Sequence, residues 1–150
     1  MRLSYFYSFI VFLLFLQACN EIENDSFDSQ KVSVVKVEKE FEKMAAEKGI
    51  AEAFYFYADE NAVIKRENDS LIKGRENIRK YYLGDFYKNA SVKWSPDYVD
   101  VSSNGDMAYT YGNYIWQSSA DSTGKISEYR GVFHTVWKKQ ADGTWKYVWD

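Results

Sequence analysis

GVFHTVWKKQADGTWKYVWD, Gly131 to Asp150, is the stretch that decides the fold. Two runs rich in aromatic and β-branched residues flank QADG, and side chains of that kind suit a pleated, half-buried strand surface. QADGT fits a three-residue hairpin loop, a type I turn followed by a left-handed Gly143 with a bulge. Gln140 then faces Thr144. Counting back in twos puts Lys138 opposite Lys146, Val136 opposite Val148 and His134 opposite Asp150, with Trp137/Tyr147 and Thr135/Trp149 on the other face. A two-residue loop would shift the register by one and take His134 away from Asp150.

Upstream lie more runs of the same composition. SVKWSPDYVDVSS, DMAYTYGNYIWQSS and KISEYRGVFHTVWKK are divided by SNGD and ADSTG, each a turn signal, so an antiparallel meander is expected. Pro96 falls inside the first run, which places it at a bulge or on an edge strand, and Asp97 beside it reads as a turn residue. Ahead of Ala90 the period changes. Val34, Val37, Phe41, Met44 and Ala45 form one helical stripe that stops at Gly49, a residue that takes the left-handed cap conformation without steric cost. Ile50, Ala53, Phe54 and Tyr57 share the face of a second helix, followed by a turn at Asp59 to Asn61 and a short strand from Ala62 to Lys65. RENDS reads as a turn, its Asn68-Asp69-Ser70 sequon included, and LIKGRENIRKYYL as a third helix marked by Ile78, Tyr81 and Tyr82. Helices followed by strands imply an α+β domain.

Composition excludes several functions. The chain has 150 residues, one domain's worth, with 22 acidic against 19 basic side chains and no cationic cluster, so it carries no footprint for a phosphate backbone and no nucleic-acid partner is expected. One His and one Cys, far apart, cannot build a structural zinc site, and neither GxGxxG nor GxxxxGK[ST] occurs; no metal and no cofactor is expected. The strongest positive signal is aromatic content, 5 Trp, 13 Tyr and 10 Phe. Such rings either fill a solid core or line a hollow in which hydroxyl and indole groups meet a ligand.

The amino-terminal segment has another character. Arg2 is the lone charge before Glu21, and SYFYSFIVFLLFL between them is too short for a bilayer span, which takes about 20 apolar residues, unless Gln17 and Asn20 are buried with it; it matches the hydrophobic centre of a signal peptide. LQAC, ending at Cys19, resembles the lipobox of bacterial lipoproteins. That resemblance implies cleavage before Cys19, a lipid on its thiol, and a location in the bacterial cell envelope, anchored to a membrane, the outer one for preference. The domain expectation follows: residues 1–18 a leader, 19–30 an acidic tether, 31–150 the folded domain. A short membrane-anchor helix is the other reading of the apolar run.

Taken together, EKEFEKMAAEKGIAEAFYFYADENAVI, KGRENIRKYY, VKWSPDYVDVSSNGDMAYTYGNY and GVFHTVWKKQADGTWKYVWD resemble the SnoaL-like family of the nuclear-transport-factor-2-like superfamily, over roughly Val34 to Asp150. Trp137, Gly143, Trp145 and Asp150 are the more specific matches. The resemblance implies a cone, three helices against a curved antiparallel sheet with an open mouth, and frequently a dimer through the outer sheet face. Its relatives include ketosteroid isomerase, polyketide cyclases and dehydratases, without one shared catalytic motif.

Candidate site residues follow. If His134 faces Asp150, the carboxylate favours the protonated imidazole or fixes its tautomer, which prepares it for proton transfer; a strand His that only bonds a neighbour is the plainer reading. Asp59, after an aromatic helix, is a second acid–base candidate if the wall around it is apolar, and a solvated turn residue otherwise. Tyr57, Trp94 and Tyr111 are candidates for the lining of a cavity, or plain core. Three functions are consistent with these residues: a small-ligand binding module, an isomerase, cyclase or dehydratase, or a scaffold for dimerisation.

Overall fold

The computed structural model describes residues 28–150. Residues 1–18, read from the sequence as a leader, lie outside the described residues with Cys19 and most of the acidic tract. Helix α1 covers 28–48 and is already helical at 28–30, within the stretch assigned to the tether. Its buried face runs Val34, Glu38, Phe41, Ala45, the spacing of three and four that puts side chains on one helical stripe. Gly49, at φ 91, breaks it, and α2 follows at once as Ile50–Tyr57.

The turn expected at Asp59 to Asn61 is absent. Ala58 is already extended, and β1 runs Ala58–Arg66 with an irregularity between Ala58 and Val63 that absorbs the turn-forming residues. Asp59 Oδ1 accepts the Asn61 backbone N–H at 3.0 Å, so the local bond of a turn survives inside a strand. LIK is likewise a strand, not helix: β2, Ser70–Lys73, folds back on β1 with Val63 opposite Lys73 and Arg66 opposite Ser70. The reversal rests on Asn68 and Asp69 at φ 56 and 58, a conformation those two side chains tolerate better than most. α3 is Arg75–Tyr82 and a single turn, α4, Asp85–Lys88.

The four C-terminal strands form the expected meander: β3 Ser91–Val101, β4 Met107–Gln117, β5 Glu128–Lys139 and β6 Trp145–Trp149. The six-stranded sheet has the order β2-β1-β6-β5-β4-β3, with β1 and β6 parallel and the other neighbours antiparallel. Pro96 is both on the edge strand and at a bulge, between Pro96 and Tyr98, the two places where a missing N–H costs no ladder bond. Facing it, Gly112 lets the backbones close: a Cβ there would lie 2.2 Å from the Ser95 carbonyl oxygen.

The final hairpin loop is as read, with Gln140 N–H donating to Thr144 O at 2.7 Å and Gly143 at φ 84. Lys138 faces Lys146 and Trp137 faces Tyr147. Beyond them the register departs from the count in twos. Val148 is an extra residue, so Val136 pairs with Trp149, and a bulge of this kind passes the next partner one place along. Asp150 therefore meets Thr135, whose Oγ1 donates to its Oδ2 at 3.1 Å, and not His134.

The helices pack on the face of the curved sheet that presents Thr110, Thr135, Trp137 and Tyr147, each at most 1% exposed. Phe41 from α1 centres this core, with ring contacts to Phe54, Tyr57, Trp94 and Trp137 at 4.8 to 6.2 Å. The architecture is an α+β cone, a mixed six-stranded sheet with helices packed on one face.

Candidate ligand cavity

Aromatic residues are used in both of the ways the composition allows. One set fills the core around Phe41, and another, sharing Phe41, Phe54 and Trp94 with it, lines a cavity of about 760 Å³ between helices and sheet. Its wall includes Phe54 of α2, Tyr82 of α3, Phe86 and Tyr87 of α4, Trp94 of β3 and Trp116 of β4, and a volume of this order holds a compound of several rings. Phe86 lies parallel to Trp116, centroids 6.5 Å apart, and Tyr87 meets Trp116 edge-on at 5.4 Å.

The polar part of the wall is one cluster assembled from three elements. Arg66 closes β1, Tyr82 closes α3, and Asp150 directly follows β6. Arg66 Nε and Nη2 donate to the Tyr82 hydroxyl at 2.8 and 2.5 Å, Nη1 donates to the main-chain oxygens of Lys65 and Asp150, and Nη2 also donates to Asp150 Oδ1. Burial works against the Arg66 charge, but Asp150 and Tyr82 outweigh it and hold the guanidinium above its ordinary pKa. Burial likewise pushes the Tyr82 hydroxyl up, against the pull of Arg66. The guanidinium also sits over the Phe54 and Tyr82 rings, 5.7 and 5.6 Å from their centroids.

At the mouth, Tyr81 and Tyr87 share their two protons among three contacts: Tyr81 to Glu67 Oε2 at 2.7 Å, Tyr87 to Glu67 Oε1 at 3.3 Å, and the short contact between the two hydroxyls. The Tyr81 hydrogen bond is the main reason that the Glu67 carboxyl titrates below its usual range.

Behind Trp94 lies Glu38, 1% exposed. Trp94 Nε1 donates to its Oε2 at 2.8 Å, while Thr110 Oγ1 and Trp137 Nε1 donate to its Oε1 at 2.5 and 3.0 Å. Burial raises its pKa and the three donors pull it back. Glu38 touches the cavity through Trp94 alone and is not part of its lining.

Of the candidates read from the sequence, Trp94, Asp150 and, at the edge, His134 line the cavity. Tyr57 packs into the core against Phe41 at 4.9 Å and stays out of the lining. Tyr111 is on the outer sheet face, stacked on Tyr98 at 5.2 Å, because strand alternation sends odd positions of β4 outward. Asp59 bonds Asn61 and, at 3.3 Å, Gln140 Nε2; it lies away from the cavity. His134 belongs to the outer face too, against Tyr109 at 5.9 Å, and reaches the cavity only at its rim, where β5 continues past the end of β6. Cys19 lies outside the described residues. Sequence reading missed Arg66, taken as part of a turn, and Glu38, a charge inside an apolar stripe and so a visible signal. Among the described residues no group of three or more His, Cys, Asp or Glu is placed to hold a metal ion, and no helix is long and apolar enough to cross a membrane.

No family model and no curated protein matches the sequence. The structure is similar to a ketosteroid isomerase-like protein from Erwinia carotovora atroseptica, with TM-score 0.66 and 14% identity over 82% of this chain and 94% of that one. It is also similar to a cystatin-fold nuclear-transport-factor-2-like protein from Novosphingobium aromaticivorans, with TM-score 0.66 and 16% identity over 89% and 84%. A third similar structure is the association domain of CaMKII from C. elegans, with TM-score 0.63 and 21% identity over 83% and 95%. At these identities the likeness is one of fold.

Proposed function

We propose that this protein is a small-molecule binding module that holds an apolar or aromatic compound in its cone, carried at the bacterial envelope by a lipid on Cys19. The observation that carries the binding reading is the 760 Å³ cavity walled by aromatic side chains: burying a ring compound there removes apolar surface from water at roughly 25 cal/mol per Å². Binding is favoured over proton-transfer catalysis by the register of the last hairpin, which gives Asp150 to Arg66 and Thr135 and leaves His134 at the cavity rim, turned to the outer face against Tyr109. Uncharged N-phenylnaphthylamine is expected to bind saturably, one per chain, with enhanced fluorescence. Phe133 of β5 also lines the cavity, and Phe133→Glu, which sets a carboxylate in the wall, is expected to abolish this while leaving the circular dichroism spectrum intact. Failure of the wild-type protein to saturate with the dye rejects the reading.

The anchor rests on LQAC after a run of signal-peptide length, and stable attachment needs more than one acyl chain, which a triacylated terminus supplies. Cys19→Ala is expected to move the protein from the membrane to the soluble fraction of its host; retention in the membrane fraction counts against lipidation.

A second reading, self-association through the outer sheet face, is favoured by exposed Tyr98, Tyr109, Tyr111 and Val132 on that face. Two of the similar structures are CaMKII association or hub domains by name. Sedimentation equilibrium tests it.

A further inference from the structure

Every Lys, Arg and carboxylate of the cavity wall is already committed. The five N–H donors of Arg66 all have acceptors, on Tyr82, Lys65 and Asp150. Asp150 is paired through one carboxylate oxygen with Arg66 and through the other with Thr135. Glu67 takes the Tyr81 and Tyr87 hydroxyls, and Lys65 pairs with Asp69 at 2.7 Å. A charged group carried into the apolar part of the cavity would lose its hydration and find no free counter-charge.

Two polar groups are underused: the Trp116 indole N–H is buried without a hydrogen-bond partner among the described residues, and the Tyr82 hydroxyl is half used. The Tyr82 oxygen receives two N–H bonds from Arg66, which occupy both of its lone pairs, and among the described residues its own proton has no acceptor. A buried donor left unpaired is costly, and a ligand oxygen brought to it recovers that cost.

We infer that the ligand is an uncharged ring compound with a hydrogen-bond acceptor, and that Tyr82, its O–H strengthened as a donor by the two bonds it accepts from Arg66, rather than the Trp116 indole, is the donor that selects it. The inference rests on the cavity being the binding site. Its acceptor, a carbonyl, ether or phenol oxygen, meets the Tyr82 hydroxyl, and its rings lie against Phe54 and Trp94, which are within 6.4 Å of each other. The Arg66–Asp150 pair orients Tyr82 and cancels its own charge. It is a positioning pair, not an anion receptor.

Four naphthalenes of nearly equal size test this by calorimetric titration: acetylnaphthalene, ethylnaphthalene, naphthoate and naphthylmethylammonium. Acetylnaphthalene is expected to bind about tenfold tighter than ethylnaphthalene, the value of one hydrogen bond, and at least about tenfold tighter than either ion. Tyr82→Phe is expected to erase the preference for the acetyl compound and leave ethylnaphthalene unchanged. Should that variant not fold, the wild-type panel already decides. Asp150→Asn, which keeps an acceptor for Arg66 but removes its counter-charge, is expected to raise naphthoate affinity about tenfold. Equal affinity for the acetyl and ethyl compounds, or a preference that survives Tyr82→Phe and so belongs to the Trp116 indole, overturns the role of Tyr82. A charged probe that binds as tightly as acetylnaphthalene, or naphthoate binding unmoved by Asp150→Asn, overturns the charge argument. If N-phenylnaphthylamine binds and none of the four does, this inference fails while the binding module stands; if the dye fails as well, the cavity is not a binding site and both fall.

Discussion

Glu38 occupies a position where a carboxylate is costly. It stands between Val34 and Phe41 on the buried stripe of α1, and only three donors from β3, β4 and β5, those of Trp94, Thr110 and Trp137, make its burial tolerable. Burial dominates, so its folded-state pKa is raised above the ordinary 4.5. The native state then binds more protons than the unfolded one between those two values. Its contribution to stability is full below about pH 4.5 and is lost as pH rises through the folded pKa. Urea denaturation from acid to neutral pH is expected to show that decline, and Glu38→Gln, which cannot ionise, is expected to flatten it. Glu38→Ala strands three buried donors and is expected to cost more than about 3 kcal/mol. A pH profile unchanged by Glu38→Gln would remove the titration argument. The residue itself was legible, a charge breaking an apolar period of three and four. Its partners were not, because nothing local ties residue 38 to 94, 110 and 137. The same holds for Arg66, whose place in the wall depends on where α3 and β6 end.

Elements were legible wherever their period ran unbroken. The stripe on α1, the face of α2 and the alternation of β3 to β5 are each long enough for local pattern to agree with tertiary placement. They were lost where a turn-forming residue was absorbed into a strand. Asp59 and Asn61 make their turn bond within β1, and Asn68 and Asp69 make a tight reversal between β1 and β2, so the same residue types mark an irregularity in one place and a hairpin in the other. The last hairpin shows the limit most clearly. Its loop chemistry and first pairs were readable from Gly143 outward, but Val148, β-branched and without any turn signal, is the extra residue at the bulge. One inserted residue transferred Asp150 from His134 to Thr135 and so from the outer face to the cavity wall. The geometric basis for a His134–Asp150 proton relay went with it.

On the scale of the whole molecule, a sheet covered by helices on one side has to present its other side to something. Here that side carries Tyr98 stacked on Tyr111, Tyr109 against both Tyr98 and His134, and Val132 at 70% exposure. Tyr109, His134 and Val136 also border a second hollow, of about 510 Å³. Exposed tyrosines that already stack lose little side-chain freedom on association and bury large rings, which is why such residues concentrate binding energy at interfaces. A second copy of the chain, presenting the same patch about a two-fold axis, is the occupant we propose. Sedimentation equilibrium is expected to show a dimer, and Tyr111→Asp, which buries a carboxylate in the middle of the contact, is expected to weaken it by at least about tenfold. Because Tyr111 is on the face opposite the cavity, the same variant is expected to bind N-phenylnaphthylamine as the wild type does. A wild-type protein that stays monomeric at every concentration would reject the dimer. A Tyr111→Asp variant that dissociates and loses the dye together would show instead that the cone is completed by its partner, so the two measurements separate the outer surface from the inner one.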